Sequence, residues 1–205
     1  MNVRTPRVLK WMYPSIICRI PTKEKKIYLT FDDGPIPDIT PQVVQLLKQY
    51  NAKATFFCVG NNVQKHPEEY SLLHREKQAV GNHTQHHLNG FKTSLNDYLE
   101  DVREASVAIS SKLFRPPYGR MRPSQYKALK NNYTIVMWDV LSYDFDSSVP
   151  RELCLQNVIR HTRNGSIIVF HDSIKAADKM LFVLPRILKH FSEAGYIFET
   201  ISQTN

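Results

Sequence analysis

The sequence predicts an α/β fold built on a parallel β-sheet, and two observations carry this prediction. Short apolar segments alternate with helix-like segments along most of the chain. No low-complexity stretch, repeat or linker interrupts the alternation, so the 205 residues are expected to share one core. Strands that alternate with helices pair in parallel, because each helix carries the chain back to the end of the sheet where the next strand begins.

Hydrophobic periodicity and turn residues place the individual elements. Strands are expected at residues 27–31, 54–59, 135–138, 166–170 and 196–200. Helices are expected at residues 41–50, 68–77, 95–112, 153–162 and 184–194. Residues 78–81 lead into a loop rich in histidine. Chemically active side chains are expected on the loops that follow the strands, because the carboxyl ends of parallel strands carry the functional site in such folds. Candidate polar groups at these places are residues 32–33, 171–172 and 139–146.

The composition is that of a globular protein and argues against several other classes. Hydrophobic residues make up 42% and charged residues 22% of the chain, which disfavours disorder. The net charge of +8 suits an anionic partner, but the basic residues form no nucleic-acid-binding arm, so no nucleic-acid partner is expected. No run approaches the ~20 apolar residues of a membrane span. The three cysteines lack metal-ligand or redox spacing and are predicted to be free thiols.

Residues 1–26 are predicted to be an extension that packs on a domain formed by residues 27–205. The segment is basic and then partly apolar, but Pro14 and Arg19 interrupt it and no small-residue cleavage site follows. It is therefore interpreted as structural rather than as a signal peptide. The expected location is cytoplasmic by default, with a cell-envelope substrate left open.

Asp32 and Asp33 follow the first predicted strand directly. Adjacent side chains leave the backbone in different directions, so one carboxylate is able to bind a metal ion while its neighbour acts as a base. The alternative is turn chemistry, because Asp before Gly34 and Pro35 is a common loop composition. Both interpretations stay open on these residues alone.

Three histidines, His83, His86 and His87, fall within five positions. Two histidines four apart on one helical turn face the same way and can bind one ion, and His83 and His87 have this spacing. His86 points elsewhere and is left out of the predicted ligand set. Together with Asp33, the pair gives two imidazoles and one carboxylate, a set that leaves positions open for water and substrate. A divalent ion at such a site activates water and polarises the carbonyl under attack.

Two further segments carry candidate chemistry. His171 ends an apolar segment, where a histidine is well placed to donate a proton to a leaving amine, although a structural hydrogen bond is an equal alternative. Arg115 opens a stiff turn that ends at Gly119. Its guanidinium can hold a carboxylate in a bidentate fashion, and the exposed backbone N–H groups of the turn can bind an oxyanion. A proline-rich surface turn is the alternative.

Together these segments resemble the polysaccharide deacetylase family, also called the NodB homology domain or carbohydrate esterase family four, and they occur in that family's order. The resemblance covers residues 27–201. Its five motifs match residues 30–35, 83–87, 115–119, 138–144 and 169–172. Each motif is weak alone, whereas the ordered set is highly specific.

The resemblance implies a distorted (β/α) barrel, shorter than a full eightfold barrel, with its active site at the carboxyl ends of the strands. It also implies that Asp33, His83 and His87 bind one divalent metal ion. Zinc is the expected ion, with cobalt, nickel or iron as alternatives.

The same carry-over assigns roles to five further residues. Asp32 is the expected general base, and Arg115 is expected to hold it. The backbone N–H of Tyr118 is expected to stabilise the oxyanion. His171 is expected to protonate the departing amine, with Asp144 orienting and tuning its ring.

Trp138, Phe145 and Val169 are expected to form the apolar wall around the acetyl methyl group. Two positions depart from the pattern of the family. Leu88 stands where the family often has proline or aspartate, and Phe145 stands where tryptophan is usual. Neither position supplies a ligand or a proton, so these departures are expected to alter the shape of the pocket rather than remove catalysis.

The expected function is therefore metal-dependent hydrolysis of the acetyl group of an N-acetylated sugar, in a chitin-like oligomer, peptidoglycan or another polysaccharide. One alternative within enzymes is removal of a formyl group from an amide or of an O-acetyl ester. An alternative from another class is a noncatalytic carbohydrate-binding protein, against which the intact Asp32 and His171 argue.

Overall fold

The central strands form in segments of consecutive apolar residues, whose side chains lie on both faces of the sheet. The computed structural model describes residues 3–202. Within them the strands are β1 (Lys26–Asp32), β2 (Ala54–Cys58), β3 (Ala79–Asn82), β4 (Leu113–Phe114), β5 (Thr134–Ile135), β6 (Val140–Leu141), β7 (Ile167–His171) and β8 (Ile197–Phe198). They form one parallel sheet in the order β5-β4-β3-β2-β1-β7-β6, with β8 paired to β1. The predicted parallel α/β architecture is thus confirmed.

Helices connect the strands and cover the sheet. In the described range they are α1 (Arg7–Met12), α2 (Thr40–Gln49), α3 (Gly60–Lys65), α4 (Pro67–Arg75), α5 (Leu95–Ala108), α6 (Pro123–Leu129), α7 (Arg151–His161) and α8 (Ala177–Glu193). No helix in this part of the chain is both long and apolar enough to cross a bilayer.

Alternation along the central strands divides the side chains between two faces. On the outer face, Leu29 and Phe31 of β1 and Phe170 of β7 pack in one core with the apolar sides of α2, α7 and α8. On the inner face, Tyr28 and Ile167 belong to a second cluster. Burial on both sides explains why these strands appear in the sequence as continuous apolar runs.

The final helix is longer than predicted. Helix α8 begins at Ala177, seven residues before the expected start at Leu184, and it contains Pro185. Proline is typical of a first helical turn, and inside a helix it costs about 3 kcal/mol. Six buried side chains of α8 lie on the outer core, each stabilising by about 1.5–3 kcal/mol, so packing outweighs the proline.

The N-terminal stretch runs alongside the sheet. Ile17 forms a bridge with Val136, and its backbone bonds to Ile135 and Met137 over 2.9 and 2.7 Å. Arg19 forms a bridge with Ser166, just before β7.

Candidate active site

The parallel pairing of β1 with β7 brings the first and fifth motifs together. Asp32, the last residue of β1, lies opposite His171, the last residue of β7. Thr30 and Val169 face each other two residues earlier, on the same side of the sheet. The sheet therefore presents a carboxylate and an imidazole from adjacent strands at its carboxyl edge. The position of each residue at a strand end was predicted from the sequence, whereas the adjacency of the two strands was not.

A buried aspartate holds the turn that follows β1. Gly34 donates its backbone N–H to Asp172 Oδ1 over 3.0 Å, and Thr40 donates its hydroxyl to Asp172 Oδ2 over 2.6 Å. A Cβ at Gly34 would lie 2.0 Å from Asp172 Oδ2, so only glycine fits here. Burial raises the pKa of Asp172 to about 8. This contact was not predicted from the sequence, although Asp172 stands beside His171 in the fifth motif.

Asp33 adopts a left-handed backbone conformation with φ of 84°. Its backbone carbonyl accepts a hydrogen bond of 2.7 Å from Asn62 Nδ2. Asparagine and aspartate tolerate this conformation better than most residues, but it is still costly. The strain is therefore consistent with a constrained functional position.

Asp33, His83 and His87 converge on one point. Asp33 Oδ1 lies 3.8 Å from His83 Nε2 and 3.1 Å from His87 Nε2. One ligand atom from each of the three residues lies within 4.8 Å of the other two. Burial alone would raise the pKa of Asp33, but the contact with His87 and the charge of His171 outweigh it and hold the pKa well below its usual range. Asp33 Oδ1 is nevertheless buried and accepts no well-directed hydrogen bond within residues 3–202. A divalent cation fits this uncompensated oxygen and the two ring nitrogens that face it.

His83 has the tautomer that a metal ligand needs. Its Nδ1 lies 2.7 Å from the carbonyl oxygen of Arg115, which only accepts, so Nδ1 carries the proton and Nε2 keeps its lone pair. The ring is 2% exposed, and burial lowers the pKa of His83 to about 4. The imidazole is therefore neutral at physiological pH.

The predicted helical turn between His83 and His87 is wrong. Residues 83–89 form a loop, in which Thr84 and His87 have positive φ values of 66° and 57°. The two rings approach through this loop geometry, with centroids 5.1 Å apart. The spacing of four residues thus brings the rings together for a reason other than helical periodicity.

Arg115 is fully buried and holds Asp32. Its Nη1 donates to Asp32 Oδ1 over 2.6 Å and to Thr30 Oγ1 over 2.8 Å. Its Nε and Nη2 donate to the carbonyls of Val136 and Met137. These partners fix the guanidinium and thereby the orientation of the carboxylate.

Tyr118 lies on the turn after Arg115 with φ of 60°. Its ring is 60% exposed, and its centroid lies 4.7 Å from that of His87. Within the described residues its backbone N–H has no hydrogen-bond acceptor, whereas those of Gly119 and Arg120 donate to Pro116 and Pro117. An unpaired N–H next to the histidine loop is the arrangement that oxyanion binding requires.

His171 and Asp144 form a tightly bonded pair. Asp144 is fully buried, and its Oδ1 accepts hydrogen bonds from His171 Nδ1 over 2.8 Å and from Ser142 Oγ over 2.9 Å. Its Oδ2 accepts the backbone N–H of His171 over 2.8 Å. Burial alone would lower the pKa of His171, but the charge and hydrogen bond of Asp144 outweigh it and raise the pKa to about 9.

The three residues predicted as an apolar wall come from different sides of the site. Phe145 packs edge-on against the His171 ring, with centroids 4.9 Å apart. Trp138 lies against the backbone of Gly119, since a Cβ there would meet its ring at 2.4 Å. Val169 is buried on β7, two residues before His171.

Two other sequence predictions have different outcomes. His86 lies apart from the three converging ligands, as expected, and its Nδ1 contacts Asp101. The expected cluster at residues 139–146 is split, because Asp139 precedes β6 instead of following a strand. It bonds Ser166 and Arg163 near the start of β7, so only the Asp144 end reaches the site.

Comparisons with known proteins agree with this geometry. The family described as Polysaccharide deacetylase matches residues 19–136. A peptidoglycan-N-acetylglucosamine deacetylase of Bacillus cereus is 35% identical over 191 residues, which cover 90% of each chain. A chitooligosaccharide deacetylase of Azorhizobium caulinodans is 32% identical over 168 residues, which cover 75% of this chain and 77% of the relative. The solved structure of Bc1960 peptidoglycan N-acetylglucosamine deacetylase superposes with a TM-score of 0.89 and 29% identity, covering 98% of this chain and 100% of the other.

The fold and the relatives define the class of protein as a hydrolase that cleaves the amide bond of acetylated sugars. Within this class, the chain belongs to the polysaccharide deacetylase family, which is carbohydrate esterase family four. The expected family and its distorted barrel are thereby confirmed. Enzymes of this family depend on a metal ion, and Asp33, His83 and His87 form a suitable ligand group.

Proposed function

We propose that this chain removes the acetyl group from N-acetylglucosamine units of peptidoglycan or of a chitin-like oligomer by metal-dependent hydrolysis. The observation that carries the proposal is the arrangement of two bonded pairs around one ligand group. Asp32 with Arg115 and His171 with Asp144 adjoin the point on which Asp33, His83 and His87 converge. The proposed reaction thus has a separate base and acid on adjacent strands.

The metal ion is proposed to be zinc. Two imidazoles and one carboxylate are the ligands that a catalytic zinc site commonly uses. When bound, the ion supplies an activated water and polarises the acetyl carbonyl. His83 Nε2 is available for this role because its Nδ1 is occupied by the Arg115 carbonyl.

Asp32 is proposed to accept the proton of the attacking water. Its Oδ1 is held by Arg115, which leaves the second carboxylate oxygen for that proton. The backbone N–H of Tyr118 is proposed to donate to the oxyanion that develops on the acetyl group. A positioned donor of this kind contributes about 10²–10³-fold in rate.

His171 is proposed to protonate the departing amine. Its Nδ1 is tied to Asp144, so Nε2 carries the transferable proton when the ring is charged. A pKa of about 9 keeps His171 charged at neutral pH, as an acid must be before it donates. His171 thus begins the reaction with a proton to donate.

The substrate class rests on the relatives and on charge. The relatives act on peptidoglycan and on chitooligosaccharides, as their names state. The net charge of +8 favours peptidoglycan, which carries carboxylates, over neutral chitin oligomers. We therefore expect a higher kcat/KM on peptidoglycan fragments, with a preference that weakens as salt is added.

The test is acetate release from peptidoglycan fragments and chitin oligomers by the zinc-loaded protein. Asp32→Asn is expected to lower kcat by about 10²–10⁴-fold because it removes a general base. His83→Ala is expected to abolish both activity and stoichiometric zinc binding. Asp178→Asn and His190→Ala are matched controls at exposed positions of α8 and are expected to retain full activity.

A zinc-loaded wild type that released no acetate from any of these substrates would contradict the proposal. Formyl amides and O-acetyl esters would then be tested with the same variants. Binding of oligosaccharide without turnover would instead favour a noncatalytic role.

A second prediction concerns the acyl group. Trp138→Ala is expected to enlarge the pocket and reduce the preference for acetyl over propionyl substrates, because one methylene in an apolar pocket is worth about 10–200-fold in kcat/KM. Phe145→Ala is expected to act in the same direction. Trp11→Ala is the matched control, since Trp11 is 84% exposed on α1. An unchanged acyl preference in both pocket variants would exclude them from the acetyl wall.

A further inference from the structure

A buried carboxylate outside the five motifs contacts the histidine loop. Asp101 lies on α5 and is 5% exposed. Its Oδ2 accepts the backbone N–H groups of Gln85 and His86 over 2.9 and 3.0 Å. Its Oδ1 lies 2.6 Å from His86 Nδ1. One side chain therefore binds two consecutive peptide groups and a ring in the middle of the loop.

The segment that Asp101 holds lies between His83 and His87. Thr84 and His87, on either side of the anchored peptides, both have positive φ. Each such conformation in a residue other than glycine costs on the order of 1–3 kcal/mol and persists only where surrounding contacts fix it. Hydrogen bonds from Thr84 N to Asn82 Oδ1 and from Leu88 N to Thr84 Oγ1 fix the two ends of the loop. Its centre is held from two sides. From α3, the backbone N–H groups of Gly60 and Asn61 donate to the carbonyls of Thr84 and Gln85 over 2.9 and 3.0 Å. From α5, the only side chain among the described residues that binds the N–H groups of Gln85 and His86 is Asp101.

A second metal site is the competing explanation. His86, Asp101 and Glu104 bring ligand atoms within 4.8 Å of one another. However, both oxygens of Asp101 already accept hydrogen bonds, and the His86 nitrogen in question faces Asp101 as one of the donors. His86 and Glu104 are exposed, and an ion would have to displace the anchor of the loop. The contacts therefore favour a structural bond over a cation site.

We propose that Asp101 is a positioning residue of the metal site. By fixing the peptides of Gln85 and His86, its carboxylate sets the separation of His83 and His87 and thereby the affinity for the ion. This inference rests on the proposed function only in that Asp33, His83 and His87 hold the metal. Asp101 touches neither the ion nor the substrate.

The test measures Co²⁺ binding, with the dissociation constant from chelator competition and the ligand geometry from the d–d absorption spectrum. Asp101→Ala is expected to weaken binding by about 10–100-fold, as for other groups that support metal ligands, and to alter the spectrum. Asp101→Asn keeps an oxygen that can accept both backbone N–H groups and is expected to restore the affinity to within about threefold. Glu104→Ala is the matched control on the same helix and is expected to bind one ion with wild-type affinity.

Asp101→Glu separates position from charge and provides a second variant should Asp101→Ala fail to fold. It keeps the charge but moves the carboxylate by one methylene, so a positioning role predicts weaker binding and an altered spectrum. Wild-type affinity and spectrum in Asp101→Glu would overturn the proposal, as would wild-type affinity in Asp101→Ala. A second bound ion that Glu104→Ala loses would assign the cluster to a cation instead. If the wild type binds no Co²⁺, the metal site of the proposed function fails, and the role of Asp101 falls with it.

Discussion

Arg115→Met is expected to destabilise the protein by about 3–5 kcal/mol, because it leaves the buried Asp32 carboxylate without its counter-charge. It also leaves the carbonyls of Val136 and Met137 without their donors. In a chain of this size the loss corresponds to a fall in Tm of about 6–20 °C. Thermal unfolding followed by circular dichroism measures it.

The same substitution is expected to lower acetate release by about 10²-fold at temperatures where the variant is folded, because a displaced base no longer meets the attacking water correctly. Arg103→Met is the matched control. Arg103 lies on the exposed side of α5 and pairs only with exposed Glu100 among the described residues, so neither Tm nor activity should change measurably. An Arg115→Met variant with wild-type Tm would refute the importance of this buried pair.

Asp144→Asn is expected to lower kcat by about 10²–10⁴-fold, since His171 loses the group that keeps it charged and oriented. The pKa of His171 is about 9 with Asp144 in place, and the partly buried ring should titrate at lower pH without that charge. The alkaline limb of the pH profile of kcat/KM is therefore expected to move to lower pH. Asp146→Asn, two residues along the same loop, is the control and should keep the wild-type profile.

The free energy of unfolding should also depend on the titration of His171. The pKa of His171 is raised from 6.5 to about 9 in the folded protein, so its contribution to the free energy of unfolding is fully present below pH 6.5 and is lost as the pH rises through 9. Chemical denaturation between pH 6 and pH 10 should show this loss in the wild type and a smaller one in Asp144→Asn. If the free energy of unfolding fell equally steeply with pH in the two proteins, the raised pKa of His171 could not be assigned to Asp144.

The central sheet and the positions of Asp32 and His171 at its carboxyl edge were predictable, because both follow from local signals. Continuous apolar runs indicate buried parallel strands, and the residue after such a run lies at the carboxyl edge. Helices α3 and α6 were not predicted, since they have only six and seven residues and little apolar periodicity. Strands β4 and β6 have two residues each, which is too short for a periodic pattern.

The supporting contacts of the site were not predictable in the same way. Asp101 reaches the histidine loop across fifteen or sixteen positions, and Asp172 reaches Gly34 across 138. The residues next to a single carboxylate on a helix or after a strand do not indicate which distant residue it contacts. The family resemblance identifies residues only within its five motifs. It therefore located the motif residues of the site and missed Asp101, which lies outside them.

The N-terminal stretch covers part of the two open edges of the β-sheet. Open strand edges expose unpaired backbone groups that invite pairing between molecules. Val3 bonds Leu141 of β6, and Ile17 bonds the backbone on either side of Val136, so residues ahead of β1 occupy hydrogen-bonding groups beside the edge strands β5 and β6. A shortened form starting at β1 would retain every proposed catalytic group yet carry these groups uncovered. The stretch thus covers backbone groups on both sides of the sheet that would otherwise be open to a neighbouring molecule, a role independent of catalysis.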